Sequence, residues 1–170
     1  EGEITYNGVS LDDIDPKDLY SNVSIMTQES PVFEGTTVEE NIRIGERSKE
    51  SNFERSAQAS GSEKELEDLR LQEQTIVGTG FEDGQDFSTG QKQKFAAARA
   101  FIRDPRIMIM DEPTSNLSVT SEEQLAKSLA EFGNHSRTRI IISHRYGTLR
   151  QADKILVLDK GQIVEFGSHQ

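Results

Sequence analysis

The run Ile107-Met108-Ile109-Met110-Asp111-Glu112-Pro113-Thr114 changes character halfway along. Four apolar residues lead straight into two adjacent acids, and a proline then stops the strand. A short continuous apolar run reads as a strand buried on both faces, as in a parallel sheet under helices. Two carboxylates at its C-terminal end then stand where open α/β sheets gather their ligands, beyond the strand ends. One acid suits Mg²⁺, held directly or through water, and its neighbour can accept a proton from an attacking water. A strand followed by an acidic turn looks the same in isolation, so the flanking sequence has to choose.

Upstream, Ser88-Thr89-Gly90-Gln91 opens a helix expected to run to about Arg103, where Asp104-Pro105 ends it. Phe95, Ala98, Phe101 and Ile102 make its buried stripe. Downstream, Thr120-Ser121-Glu122-Glu123 is expected to cap a helix with Leu125, Leu129 and Phe132 turned inward. Ile140-Ile141-Ile142 reads as a second buried strand with Ser143-His144 at its end, and residues 155–158 and 163–166 as a closing pair of strands around Lys160-Gly161-Gln162. Toward the N-terminus, Asn7-Gly8 sits between Tyr6 and Val9 as a hairpin turn. Leu11 to Tyr20 reads as a turn-rich acidic connection, and Val23 to Thr27 as a short strand with Gln28 just past its end. Thr37-Val38-Glu39-Glu40 has capping-box spacing, residues 48–74 read as polar and helical with a second capping box at Ser62, and 76–86 as an extended loop. Strands alternating with helices mean an α/β fold with a mostly parallel sheet.

Composition narrows the function classes. The 170 residues carry a net charge of -11 and have no cysteine. An acidic chain without clustered Lys and Arg argues against nucleic acid as a partner, because phosphate contacts require such clusters. Lys92, Lys94 and Arg99 read as a solvated helix face. Disulfides and thiolate metal sites are excluded. The apolar runs at Ile107 and Ile140 are far too short to cross a bilayer. The mean hydropathy of -0.64 is low for a closed domain, which fits either a very wet surface or a fragment whose missing part completes the core. The chain opens on Glu1-Gly2-Glu3 without an initiating methionine, so it is expected to begin inside a longer protein.

Four features coincide in order: Gln28 at a strand end, Phe87-Ser88-Thr89-Gly90-Gln91 at a helix start, Asp111 to Leu117 after the central strand, and Ser143-His144-Arg145 after the next. This ordered set resembles the nucleotide-binding domain of an ABC transporter. The stretch from Pro31 to Ile42, the glycine-rich stretch from Thr75 to Gly84, and the ending from Ala152 to His169 are similar to the exporter class. The resemblance implies a P-loop NTPase-like α/β fold with a helical signature subdomain over roughly residues 37–103, an α/β core over 1–36 and 104–170, and the N-terminal part missing.

It also implies roles. Asp111 helps coordinate Mg²⁺, Glu112 polarises the attacking water, and His144 contacts the γ-phosphate. Gln28 is a ligand to Mg²⁺ or its water and a link to the transmembrane domain. Ser88, Gly90 and Gln91 belong to the signature, which contacts ATP held by a second nucleotide-binding domain in a head-to-tail homo- or heterodimer. The implied cofactors are ATP and Mg²⁺, and the implied location is the cytoplasmic face of a membrane. His135 and His169 have no such context and read as surface residues.

The chain departs from the family at named positions. No Gly-Lys pair occurs, so a Gly-x-x-x-x-Gly-Lys-[Ser/Thr] phosphate loop is absent from these residues, and ATP binding by this polypeptide alone is expected to be weak. Phe87 stands where the family usually has Leu, Thr89 where it has Gly, and Ser118 where it has Asp. Two functions remain open at this point: an ATP-hydrolysing domain that powers an exporter, or a non-hydrolysing dimerisation or regulatory domain that lends its signature to a partner.

Overall fold

The computed structural model describes residues 2–44, 46, 52–69, 71–132 and 137–169. The expected hairpin forms from β1 (Thr5–Tyr6) and β2 (Val9–Ser10), paired antiparallel. Asn7 and Gly8 both adopt positive φ, as a two-residue turn between twisted strands requires. The acidic connection contains a helix that its turn residues concealed. Asp15 caps α1 (Pro16–Asn22) by accepting from Lys17 N, and Pro16 occupies the first turn, where its lost N–H costs nothing.

β3 (Val23–Met26) follows directly, and α2 (Val38–Arg43) opens on Thr37 with the reciprocal capping box in place. Of the polar helical stretch, the described residues form α3 (Phe53–Ser60) and α4 (Glu63–Glu67), while 48–51 and 70 lie outside them. Ser62 does not make the expected capping box. Its hydroxyl is buried and turned back onto Ser60 Oγ and Ala57 O across the Gly61 turn. The glycine-rich stretch is less open than expected, because β4 (Ile76–Val77) and β5 (Gly84–Gln85) pair within it.

α5 (Thr89–Ile102), β6 (Ile107–Asp111) and α6 (Val119–Glu131) come next. α6 starts two residues earlier than its sequence suggests, since Ser118 rather than Thr120 accepts from Ser121 N at the cap. β7 (Thr138–Ile142), α7 (Tyr146–Leu149) and the antiparallel pair β8 (Ile155–Asp159) and β9 (Gln162–Gly167) complete the chain.

Three strands make the parallel sheet, in the order β3-β6-β7, with Met26 beside Met110 and Ile141 beside Met110 on its other side. α5 is the hinge of the packing. Ala96, Ala97, Ala100 and Phe101 face Met26, Met108 and Met110 of the sheet and Leu125 and Leu129 of α6. Its opposite side presents Phe95, Ala98 and Ile102 to Val38, Ile42, Ala57 and Leu66 of the smaller helices. The expected buried stripe of α5 therefore divides between two apolar clusters. Burial of a Phe such as Phe95, fully enclosed, contributes about 1.5–3 kcal/mol.

The central strand is not buried on both faces. Met108 and Met110 are enclosed, while Ile107 and Ile109 are only half-buried. The third strand departs further: Ile140 and Ile142 are 47% and 52% exposed. Ile25, Ile109 and Ile140 lie in register on the same face, so the described helices cover one side of the sheet only. Among the described residues β7 pairs with β6 alone, and a cavity of about 470 Å³ lined by Ile140, Ile141, Ile155 and Leu156 separates it from β8.

Candidate active site

Parallel strands deliver their C-terminal ends to one edge. Gln28 follows β3 by two residues, Asp111 closes β6 with Glu112 next, and His144 follows β7 by two. The register sets Asp111 beside Ile142, so these groups emerge on adjacent strands at the same rim.

Glu112 and His144 meet directly, with His144 Nδ1 2.8 Å from Glu112 Oε1. As a carboxylate Glu112 can only accept, so Nδ1 carries the proton and Nε2 is left to a ligand. The carboxyl is largely enclosed, at 15% side-chain exposure, whereas the imidazole is 77% exposed. Glu112 Oε2 is buried and has no hydrogen-bond partner among the described residues. Leaving a buried acceptor unpaired costs about 1–3 kcal/mol, a cost that a bound water or ligand donor removes. Glu112 also has φ +48°, a left-handed conformation that costs about 1–3 kcal/mol for a residue with a side chain. Its N–H donates to Ile142 O at 2.8 Å, and its carbonyl accepts from Ser115 N at 3.2 Å. The backbone around the acid is held by its neighbours rather than by its own preference.

Asp111 is half-buried and Gln28 is exposed, and no hydrogen bond joins Gln28 to either acid among the described residues. Both offer oxygen donors of the kind Mg²⁺ takes, and Mg²⁺ commonly completes its shell with waters and ligand phosphates. No cluster of three or more His, Cys, Asp or Glu occurs among the described residues. The donor set therefore fits a metal that arrives with its ligand.

Ser88 makes the expected capping box on α5. Gln91 N donates to Ser88 Oγ at 3.3 Å, and Ser88 N donates to Gln91 Oε1 at 3.0 Å. The Thr89 and Gly90 N–H groups have no partner within the helix, as at the start of any α-helix, and such free donors are of the kind that attract anions. Thr89 is exposed there. Gly90 serves a second purpose: a Cβ on it would stand 2.8 Å from the carbonyl oxygen of Asn116, in the loop after the acids. The helix and that loop touch backbone to backbone. A cavity of about 480 Å³ lies between Gln28 and Ser30 on one side and Thr89, Lys92 and Asn116 on the other.

Several contacts escaped the sequence. Gln93, 6% exposed, joins α5 to the acid loop. Arg145 binds Glu122 Oε2 at 2.7 Å and the Ser115 carbonyl at 2.7 Å, fixing the segment next to His144. Arg99 is not part of a solvated face. It donates to Asn41 O at 2.7 Å and Pro31 O at 2.8 Å and lies over the Phe33 ring, and burial pushes its guanidinium below the ordinary value. Lys94 pairs with Glu65, and Lys92 pairs with Asp86, whose carboxyl its hydrogen bond holds below the usual range. His169 is indeed exposed but pairs with Tyr146, while His135 lies outside the described residues.

The family described as ABC transporter matches residues 1–115. The chain belongs to the ABC transporter family. It is 41% identical to ABC transporter B family member 17 of Arabidopsis thaliana, over 99% of this chain and 13% of that protein. It is 37% identical to multidrug resistance protein pgp-1 of Caenorhabditis elegans, over the whole chain and 13% of that protein. An ATP-dependent lipid A-core flippase of Desulfotalea psychrophila is 36% identical, with 29% of its length covered. A bacterial Atm1-family ABC exporter solved with ATP bound superposes with a TM-score of 0.88 at 32% identity, over 99% of this chain and 29% of that one. The chain thus spans under a third of each of these ABC proteins, and it shares the fold of the solved Atm1-family exporter.

Proposed function

We propose that this chain is part of the ATP-hydrolysing domain of an ABC exporter, and that its activity drives transport through a separate transmembrane domain. The observation that carries the reading is the Glu112–His144 pair, with Glu112 Oε2 buried and, among the described residues, unpartnered at the mouth of three parallel strands. Glu112 Oε2 orients a water and takes its proton. In the doubly protonated form His144 donates Nδ1–H to Glu112 and Nε2–H to the terminal phosphate. Asp111 and Gln28 hold Mg²⁺ or its waters. The Mg-nucleotide, when bound, supplies the phosphoryl group and neutralises its developing charge.

Residues 37–103 form a helical unit and 1–36 with 104–170 an α/β unit. Ser88, Gly90 and Gln91 present the start of α5 to ATP on a second nucleotide-binding domain, whether identical or not. Such a domain works at the cytoplasmic face of a membrane. Among the described residues no helix is long and apolar enough to cross one. A domain that only lent its signature would have no use for the Glu112–His144 pair, which favours hydrolysis over the regulatory alternative.

No Gly-Lys pair exists to cradle phosphates, so the 170-residue chain alone binds Mg-ATP weakly or not at all. Calorimetry of this chain beside the full-length protein tests the reading. Binding by the full-length protein alone, with hydrolysis reduced by Glu112→Gln to a small residual rate, is the expected result. Equally tight binding by the short chain would mean a different nucleotide site.

A further inference from the structure

We infer that Gln93 is a positioning residue for Glu112, tying the helix that begins at Ser88 to the backbone of the acid. The inference rests on the hydrolytic role proposed for Glu112. Gln93 is a buried amide whose three interactions all cross from α5 to one loop. Its Nε2 donates to the Glu112 carbonyl at 2.9 Å and to Ser115 Oγ at 3.1 Å, and its Oε1 accepts from Asn116 N at 2.9 Å. Because Asn116 N can only donate, the orientation of the amide is fixed.

The segment it holds is the strained one. Glu112 sits at φ +48°, and such a conformation persists only where the surroundings over-determine it. The Ile142 carbonyl fixes one side of the residue, and Gln93 with Ser115 N fixes the peptide on the other. Three residues before Gln93, Gly90 lets the same helix approach Asn116 closely enough for these bonds to form. A small displacement of α5 therefore reaches the Glu112 peptide through one rigid side chain. The end of α5 that meets phosphate and the acid that meets water are mechanically joined within one chain.

The test is steady-state and single-turnover ATP hydrolysis by the full-length protein, with a thermal midpoint for every variant. Gln93→Met keeps length and volume but removes the donors and the acceptor. It is expected to lower kcat about ten- to a hundred-fold with KM for ATP within about twofold, because misplacement acts on the chemical step. In a Glu112→Gln background the same substitution is expected to leave the residual single-turnover rate unchanged, since there is no acid left to position. An unchanged kcat, or an equal fall in both backgrounds, would overturn the inference while leaving Glu112 in its role. If Glu112→Gln itself left hydrolysis intact, the functional reading would fail, and the inference with it. Should Gln93→Met not fold, Gln93→Asn, one methylene short of the loop, carries the same two comparisons.

Discussion

His144 Nδ1 lies 2.8 Å from Glu112 Oε1, although the two residues are 32 positions apart and end different strands. The parallel β6–β7 register, with Asp111 beside Ile142, brings them together. His144→Ala is expected to lower the hydrolytic rate of the full-length protein about 10²-fold, in the range for losing one positioned donor to developing charge. Among the described residues the substitution also leaves both Glu112 oxygens without a protein partner, and Gln, whose amide can donate to Glu112 again, should restore part of the loss. Rates of the Ala and Gln variants at saturating ATP check this. A His144→Ala enzyme at wild-type rate would remove His144 from the site.

The fold class and the rim were legible because both depend on short-range pattern. The apolar run at Ile107 to Met110, the capping spacing at Ser88 and at Thr37, and the order Gln28, Asp111, Glu112, His144 all survive in the structure. What pattern could not reveal was which face has cover. Ile140 to Ile142 looks like a buried strand, yet burial depends on neighbours, and the described helices lie on one side of the sheet. Capping misled where a second candidate stood nearby. Ser118 won α6 from Thr120, and Ser62 spent its hydroxyl on Ala57 and Ser60. Gln93 was readable in retrospect. It shares helical spacing with Ala96, Ala97 and Ala100, so it is a polar residue at the head of an apolar stripe.

Asp104 ends the α5 segment and binds Arg137 through both carboxylate oxygens, at 2.5 and 2.7 Å. That hydrogen bonding holds its carboxyl below the usual aspartate value of 3.8. A carboxyl whose folded value is depressed stabilises the protein above its unfolded value, and this contribution disappears as pH falls through the folded one. Asp104→Asn is therefore expected to cost about 0.5–1 kcal/mol at neutral pH, limited by solvent screening of a carboxylate that is 39% exposed. The difference from wild type should shrink below about pH 4. Asn tolerates the positive φ of Asp104, so backbone strain does not confound the comparison. Urea midpoints at neutral pH and in the acid range read both values; a difference independent of pH would exclude the charge as its source.

Gly90→Ala sets two effects against each other. Alanine is preferred over glycine within a helix by up to about 1 kcal/mol, so propensity alone favours the change. The new Cβ, however, would stand 2.8 Å from the Asn116 carbonyl oxygen, a backbone atom that cannot swing aside. Relieving that contact means shifting α5 or the loop, at a typical cost of about 1–3 kcal/mol, so the steric effect should win and the protein should be destabilised. Gly80→Ala is the control, because a Cβ there meets nothing within 4 Å, and it should be neutral or slightly stabilising. Thermal midpoints of the two variants separate the cases. If Gly90→Ala were as stable as Gly80→Ala, the helix and the acid loop would not be in backbone contact, and the path from α5 to Glu112 would lose its physical basis.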